Sequence, residues 1–213
     1  MTLSRDDQKP PARTPDGTVI RIPESHWDDL AGRDPDLLCA VARAQPLSPG
    51  VIGLPFLHRT LVVDVENRTV TCPDETLWRE ADRSLVELLA LVYLLRVQPR
   101  GRTGEMIGVA QLRDARFFQG PHLLDTGKLV RRYGNDAAGF AAAARRLGGR
   151  PLDMADAAFE LRPFPRIPLY YLLWEGDEEF APRLSILFDR SIERHFAADA
   201  IWGTVNLVSR LLV

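Results

Sequence analysis

The chain has 213 residues, 46% of them hydrophobic, and a formal net charge of −2. This length can fill one hydrophobic core, and we predict a single domain over residues 21–213. The nearly balanced charge argues against attraction of the whole protein to nucleic acid or to an anionic membrane, so neither is predicted as a partner. The only cysteines, Cys39 and Cys72, show no CxxC or zinc spacing and support neither a disulfide framework nor a zinc ribbon.

The first residues, "MTLSRDDQKPPARTPDG", are rich in proline and charge and lack the apolar stretch of a signal peptide. We therefore predict a disordered leader over residues 1–20 and a cytoplasmic location. The longest apolar run, residues 85–97, contains Glu87 and is shorter than the roughly 20 residues of a membrane span. It predicts a core helix.

The first half of the chain shows signals for short helices and then a β-hairpin. Residues 23–45 predict one or two helices, with Ser25 and Asp34 as N-caps. The segment "GLPFLHRTLVVDVENRTVTCP" alternates apolar and polar residues around a turn at residues 66–68, which predicts a hairpin. Ser84 is the predicted N-cap of the core helix that follows.

The second half predicts two helices and then three strands. Residues 99–120 are irregular, with one short strand near Met106, and helices are predicted over residues 121–133 and 136–147. The strands are predicted from "AAFELRP", "RIPLYYLLWE" and "RLSILFD". Asp189 then caps a helical turn and Asp199 caps a last helix.

These elements indicate an α+β fold in which a small antiparallel sheet packs against several helices. Motifs that would name a reaction are missing from the sequence, including the phosphate loop, GxGxxG after a strand, GxSxG and HExxH. We therefore assign no catalytic residue and no cofactor, and whether the protein is an enzyme stays open at this point.

The turn after the second predicted strand is the first candidate site. Trp174 ends this strand, and Asp177, Glu178 and Glu179 follow within a few residues. Carboxylates grouped in this way can bind a divalent cation, or one of them can act as a general base if its pKa is raised. The alternative is an exposed acidic loop. Trp174 and Trp202 are interpreted as core or pocket-wall residues.

A basic segment in the middle of the chain is the second candidate. Residues 96–150 hold 11 basic against 4 acidic residues, whereas residues 151–189 hold 3 basic against 8 acidic. Arg102 and Arg116 lie among glycines in irregular chain, where guanidinium groups can bind a phosphate or carboxylate of a ligand. The alternative is a solvated basic surface, or salt bridges to the acidic segment.

Five stretches together resemble an uncharacterised prokaryotic family, domain of unknown function 3786. They are "VELLALVYLL", "RTGEMIGVAQL", "LGGRP", "PRIPLYYLLWEGDEEF" and "SILFDRSIERHF". The resemblance extends from about Leu30 to Val213, and residues 165–189 are its most specific part. It implies a prokaryotic protein with a role in anaerobic metabolism, without implying an activity.

Three functions follow from these observations, in order of preference. The first is a binding or accessory protein for an anionic small molecule or cofactor of anaerobic metabolism, with Arg102, Arg116, Trp174, Asp177, Glu178 and Glu179 as ligand-binding residues. The second is a protein-interaction subunit of a larger complex. The third is a hydrolase or lyase that uses the carboxylates of the acidic turn, with or without a divalent metal ion. We predict no metal site for the preferred function.

Overall fold

The computed structural model describes residues 20–124 and 126–213. The leader predicted over residues 1–20 lies outside the described residues, apart from Ile20, which is buried. Within the described ranges, no helix is long and apolar enough to cross a membrane.

Two short helices begin the described chain, α1 (Glu24–Ala31) and α2 (Pro35–Ala42). The prediction for Asp34 is confirmed, because its Oδ1 accepts the backbone N–H of Leu37 at 2.9 Å. The prediction for Ser25 is wrong, since α1 begins one residue earlier and Ser25 lies inside the helix.

A four-stranded antiparallel sheet follows, with its strands in the order of the chain. The predicted hairpin is confirmed: Asp64 pairs with Thr69, and Asp64 also accepts the backbone N–H of Asn67 in the turn at 2.9 Å. The first strand was not predicted, because all its residues are exposed and leave no alternating pattern. The strands are β1 (Gln45–Ser48), β2 (Val51–Phe56), β3 (Arg59–Asp64) and β4 (Thr69–Thr71).

The short helix α3 (Leu77–Glu80) leads into α4 (Arg83–Arg96), the predicted core helix. The cap of α4 is Asp82, whose carboxylate accepts the backbone N–H groups of Ser84 at 3.0 Å and Leu85 at 3.3 Å. The assignment of Ser84 as the cap was therefore wrong by two residues. Buried positions lie nearly all round α4, as expected for a helix between layers.

The second sheet has five antiparallel strands in the order β5-β9-β8-β7-β6. The three strands predicted in the second half are confirmed as β7, β8 and β9, and the short strand near Met106 is confirmed as β5. Seven of the eight residues of β8 are buried, because this strand lies in the centre of the sheet. The strands are β5 (Met106–Ile107), β6 (Arg150–Leu152), β7 (Ala157–Phe164), β8 (Ile167–Trp174) and β9 (Arg183–Asp189).

Three more helices follow: α5 (Gly127–Tyr133), α6 (Ala137–Arg146) and α7 (Ala198–Leu212). Helices α5 and α6 pack on the second sheet, and α7 packs on α4 and contacts β8 through the hydrogen bond from Tyr171 to Val205. The helix predicted from residue 121 is shorter than expected, because residues 120–122 form only a single 3₁₀ turn. The cap prediction for Asp199 is wrong by two residues, since Ala197 occupies the N-cap of α7.

One hydrophobic cluster joins the two sheets and the helices. At its centre, Phe164 of β7 stacks on Tyr93 of α4 with ring centroids 4.8 Å apart, and Phe56 of β2 lies 5.5 Å from the same ring. The α+β class is thus confirmed, with two antiparallel sheets in place of one small sheet. The extent of a single domain over residues 21–213 stays a prediction.

Candidate functional site

One cleft in the described part of the chain has a volume of about 780 Å³. Its walls come from α4, from the irregular segment of residues 112–122, and from the chain that runs from the end of β9 into α7. Residues 21–26 lie at one side. Four separate stretches of sequence therefore meet at this cleft.

Trp202 of α7 lines the cleft and leaves a donor without an acceptor. Its side chain belongs to a residue that is only 5% exposed, and its indole Nε1 has no hydrogen-bond partner among the described residues. A buried N–H without a partner costs about 1–3 kcal/mol. The Nδ1 atom of His26, also in the cleft wall, is buried and likewise without a partner in the described chain.

Aromatic rings form the wall beside Trp202. The imidazole of His122 packs against the indole edge-on, with centroids 5.1 Å apart. The ring of Phe117 stacks on His122 with centroids 4.3 Å apart. These rings give the cleft an aromatic wall against which a planar ligand can pack.

Charged side chains surround this apolar wall. Four arginines and three carboxylates line the cleft: Arg21, Arg96, Arg113 and Arg194, with Asp114, Glu193 and Asp199. Glu193 already accepts the backbone N–H of Arg113, and Asp199 accepts the N–H of Ala200 at 2.7 Å. The guanidinium groups of Arg113 and Arg194 have no ion-pair partner in the described chain.

The N-terminus of α7 opens into the same cleft. Ala197 at the N-cap supplies no side-chain acceptor for the backbone N–H groups of the first turn. A helix of 15 residues carries partial positive charge at this end, so the turn attracts an anion. Trp202 follows Ala198 by four residues, and helical side chains lean toward the N-terminus, so the indole covers this turn.

His195 is a buried histidine in the wall of the cleft. Burial, together with the positive charges of Arg166 and Arg194, lowers the pKa of His195 to about 4. The imidazole is therefore neutral near pH 7, and its Nδ1 accepts the backbone N–H of Gln98 at 3.2 Å. This bond ties the end of α4 to the turn before α7.

The acidic turn lies outside the cleft, and the carboxylate of Asp177 is hydrogen-bonded to the backbone of the turn itself. Asp177 Oδ1 accepts the N–H groups of Glu179 at 2.8 Å and of Phe180 at 2.7 Å, and these bonds lower the pKa of Asp177. Glu178 and Glu179 are exposed. In residues 20–124 and 126–213, no group of three or more His, Cys, Asp or Glu side chains is arranged to hold a metal ion. Trp174 is half-buried beneath Arg183, whose guanidinium carbon lies 4.2 Å from the ring centroid.

The two arginines singled out from the sequence lie apart. Arg102 donates to both oxygens of Glu160 on β7, at 2.8 and 3.4 Å, and does not line the cleft. Arg116 is exposed and also lies outside the cleft wall, although its neighbour Phe117 belongs to it. Arg113, three residues before Arg116, does line the cleft, as does Arg96.

Arg102 and the acidic turn lie near opposite ends of β9. The acidic turn enters β9 at Arg183, whereas residues 103–106 meet β9 at Asp189. A strand of this length spans on the order of 20 Å. Arg102 therefore lies far from the acidic turn, and neither Arg102 nor Arg116 lines the pocket beside that turn, whereas Asn135 of the basic segment does.

Sequence reasoning missed Glu160 and the role of His122. Glu160 had one visible signal, a charged residue in the middle of the apolar strand "AAFELRP". The cleft had none, because its walls come from stretches up to about 180 residues apart in the chain.

Fold and site together define an α+β protein with a ligand-sized cleft beside the N-terminus of its last helix. The chain belongs to the family described as Domain of unknown function (DUF3786), whose profile matches residues 34–211. This confirms the resemblance seen in the sequence. Neither the curated proteins nor the solved structures contain a match to the chain.

Proposed function

We propose that this protein binds a small organic anion in the cleft beside α7. The observation that carries the proposal is the indole N–H of Trp202, which is buried in the cleft wall and has no acceptor among residues 20–124 and 126–213. Native proteins rarely leave such a donor unpaired, so a ligand acceptor at this position accounts for it.

The size and lining of the cleft support an amphipathic ligand. A volume of about 780 Å³ falls within the range of small-molecule sites, roughly 300–1,000 Å³. Apolar side chains of α4 and the rings of Phe117 and Trp202 can take an apolar or planar body. The backbone N–H groups of the first turn of α7 other than that of Ala200, together with Arg113 and Arg194, can take its negative group.

Binding is favoured over catalysis by the chemistry of the lining. Its residues include no serine, threonine, cysteine, lysine or tyrosine among those described, which are the usual nucleophiles apart from carboxylates and histidine. Of the remaining groups, Glu193 and His195 each accept a hydrogen bond from a backbone N–H. The expectation that the ligand belongs to anaerobic metabolism comes from the sequence resemblance and stays a prediction.

The first test is native mass spectrometry on protein purified without oxygen, which would identify a retained molecule directly. A second test uses anilinonaphthalene sulfonate, an aromatic anion of matching chemistry, as a fluorescent probe. We expect Trp202→Phe, which keeps a ring but removes the N–H, to weaken probe binding about tenfold, because hydrogen bonds to charged groups contribute about 1.5–3 kcal/mol.

Arg113 and Arg116 provide a matched pair for the same assay. Arg113→Ala should weaken probe binding, while Arg116→Ala removes the same charge from the same segment outside the cleft and should leave it unchanged. Equal effects of the two variants would favour a general charge effect over a site in the cleft. Unchanged binding in both Trp202→Phe and Arg113→Ala would contradict the proposal.

A further inference from the structure

Three arginines converge on one buried carboxylate on the outer face of the second sheet, away from the cleft. Glu160 has a side chain that is 1% exposed, and it accepts hydrogen bonds from Arg102 at 2.8 Å, from Arg150 at 2.8 Å and from Arg162. We call Arg102, Arg150 and Arg162 the arginine cluster. None of its members lines the cleft beside α7.

The carboxylate of Glu160 has no free hydrogen-bond acceptor position, whereas the arginines have free N–H donors. Its two oxygens accept four hydrogen bonds in all, which is the full capacity of a carboxylate. Arg150 and Arg162 each donate one of these bonds and have no other acceptor in the described chain. Since a guanidinium has five N–H groups, most donors of the cluster stay available.

The cluster also keeps a positive balance at the surface. The three positive charges of the cluster contact one negative charge, that of Glu160. The nearby carboxylate of Asp189 is buried and accepts the backbone N–H groups of Thr103 and Gly104. The side chains of Arg102, Arg162 and Arg150 are 35%, 47% and 63% exposed. Their outer N–H groups can thus meet an anion without burial of the whole group.

The buried carboxylate prepares the arginines for this task. All three guanidinium groups lie within hydrogen-bond distance of a single residue, so they lie close to one another despite their like charge. Tyr170, which is buried and pairs with Glu160 across β7 and β8, lies near Arg102 and Arg162. Arginines held in this way lose little freedom on binding, and their planar donors match the oxygens of a phosphoryl group.

We propose that the arginine cluster is a second anion site, which binds a phosphoryl group over Glu160. The site is independent of the cleft beside α7. The phosphoryl group can belong to free phosphate or to a phosphate ester of a small molecule.

The test measures binding of inorganic phosphate to the full chain by ³¹P NMR line broadening in a chloride buffer of low ionic strength. Arg150→Ala is the main variant, because Arg150 is the most exposed member and Glu160 keeps two partners without it. We expect Arg150→Ala and Arg162→Ala each to weaken binding about fivefold or more. Arg131→Ala removes an exposed arginine from α5 as the matched control and should keep binding within about twofold.

Two further measurements distinguish free phosphate from a phosphate ester and distinguish this site from the cleft beside α7. Tighter binding of glycerol 3-phosphate than of phosphate would identify an ester as the ligand, whereas equal binding would identify the oxyanion alone. Trp202→Phe and Arg113→Ala should leave phosphate binding unchanged, so the cleft proposal and this one fail separately. The absence of saturable phosphate binding, or an equal loss in Arg131→Ala, would overturn the proposal and leave Glu160 with a structural role only.

Discussion

Glu160 and Asp189 are two buried carboxylates whose partners differ in kind. Glu160 is paired with arginine side chains, whereas Asp189 accepts backbone N–H groups of Thr103 at 3.0 Å, Gly104 at 2.8 Å and Ser191 at 2.9 Å. Burial alone would raise the pKa of each, but these bonds lower the pKa of Glu160 to about 2 and hold that of Asp189 well below its usual range. Both residues therefore stabilise the fold as anions.

Glu160→Gln should lower the free energy of unfolding by on the order of 3 kcal/mol near pH 7, because three guanidinium groups lose their anion. The folded-state pKa of Glu160 is depressed, so its contribution is fully present above the unfolded-state pKa. It is lost as the pH falls from about 4.5 toward about 2. Denaturant unfolding of both proteins should show the difference shrinking at about pH 3.

Glu178→Gln is the control for this experiment, since Glu178 is an exposed carboxylate in the acidic turn. It should change the free energy of unfolding by no more than about 0.5 kcal/mol at either pH. A difference for Glu160→Gln that stayed constant across this pH range would show that the charge of Glu160 is not what stabilises the fold.

At the scale of single elements, local sequence patterns predicted whether a segment is a helix or a strand better than they predicted the residues at which it begins and ends. Strands β7, β8 and β9 were predicted because their central positions produce long apolar runs. The helix caps were less certain, since Asp82 and Ser84 are both good cap residues separated by one arginine. Only the backbone geometry shows that the carboxylate of Asp82 receives the free N–H groups of α4.

Asp82→Ala should therefore lower the free energy of unfolding by about 1 kcal/mol, because two N–H groups at the start of α4 lose their acceptor. Ser84→Ala, within the first turn, should have an effect below about 0.5 kcal/mol. Denaturant unfolding of the two variants measures the contrast. A larger effect of Ser84→Ala would restore the cap assignment made from sequence.

At the scale of the whole molecule, β9 separates the acidic turn from the arginine cluster. The acidic turn precedes β9, while the arginine cluster and the chain that enters the cleft lie toward its other end. The acidic turn and the cleft share no lining residue. The ligand role predicted for Trp174, Asp177, Glu178 and Glu179 is thus a separate proposal from binding in the cleft.

The combined variant Asp177→Asn, Glu178→Gln and Glu179→Gln tests that role. It removes three charges but keeps an acceptor for the N–H groups of Glu179 and Phe180. We expect unchanged binding of anilinonaphthalene sulfonate and of phosphate, because the turn is remote from both proposed sites. If either probe binds the variant differently, the turn contributes to that site after all.

The sequence by itself determined the α+β class, the hairpin, the three long strands of the second sheet and the family. Each depends on local hydrophobic period, turn residues or residue order, which are present before the chain folds. The tertiary structure alone decided which arginines meet Glu160 and which residues surround Trp202. These groups are distant in sequence, and their proximity depends on the order of strands in a sheet and the packing of helices on it, which local patterns do not encode.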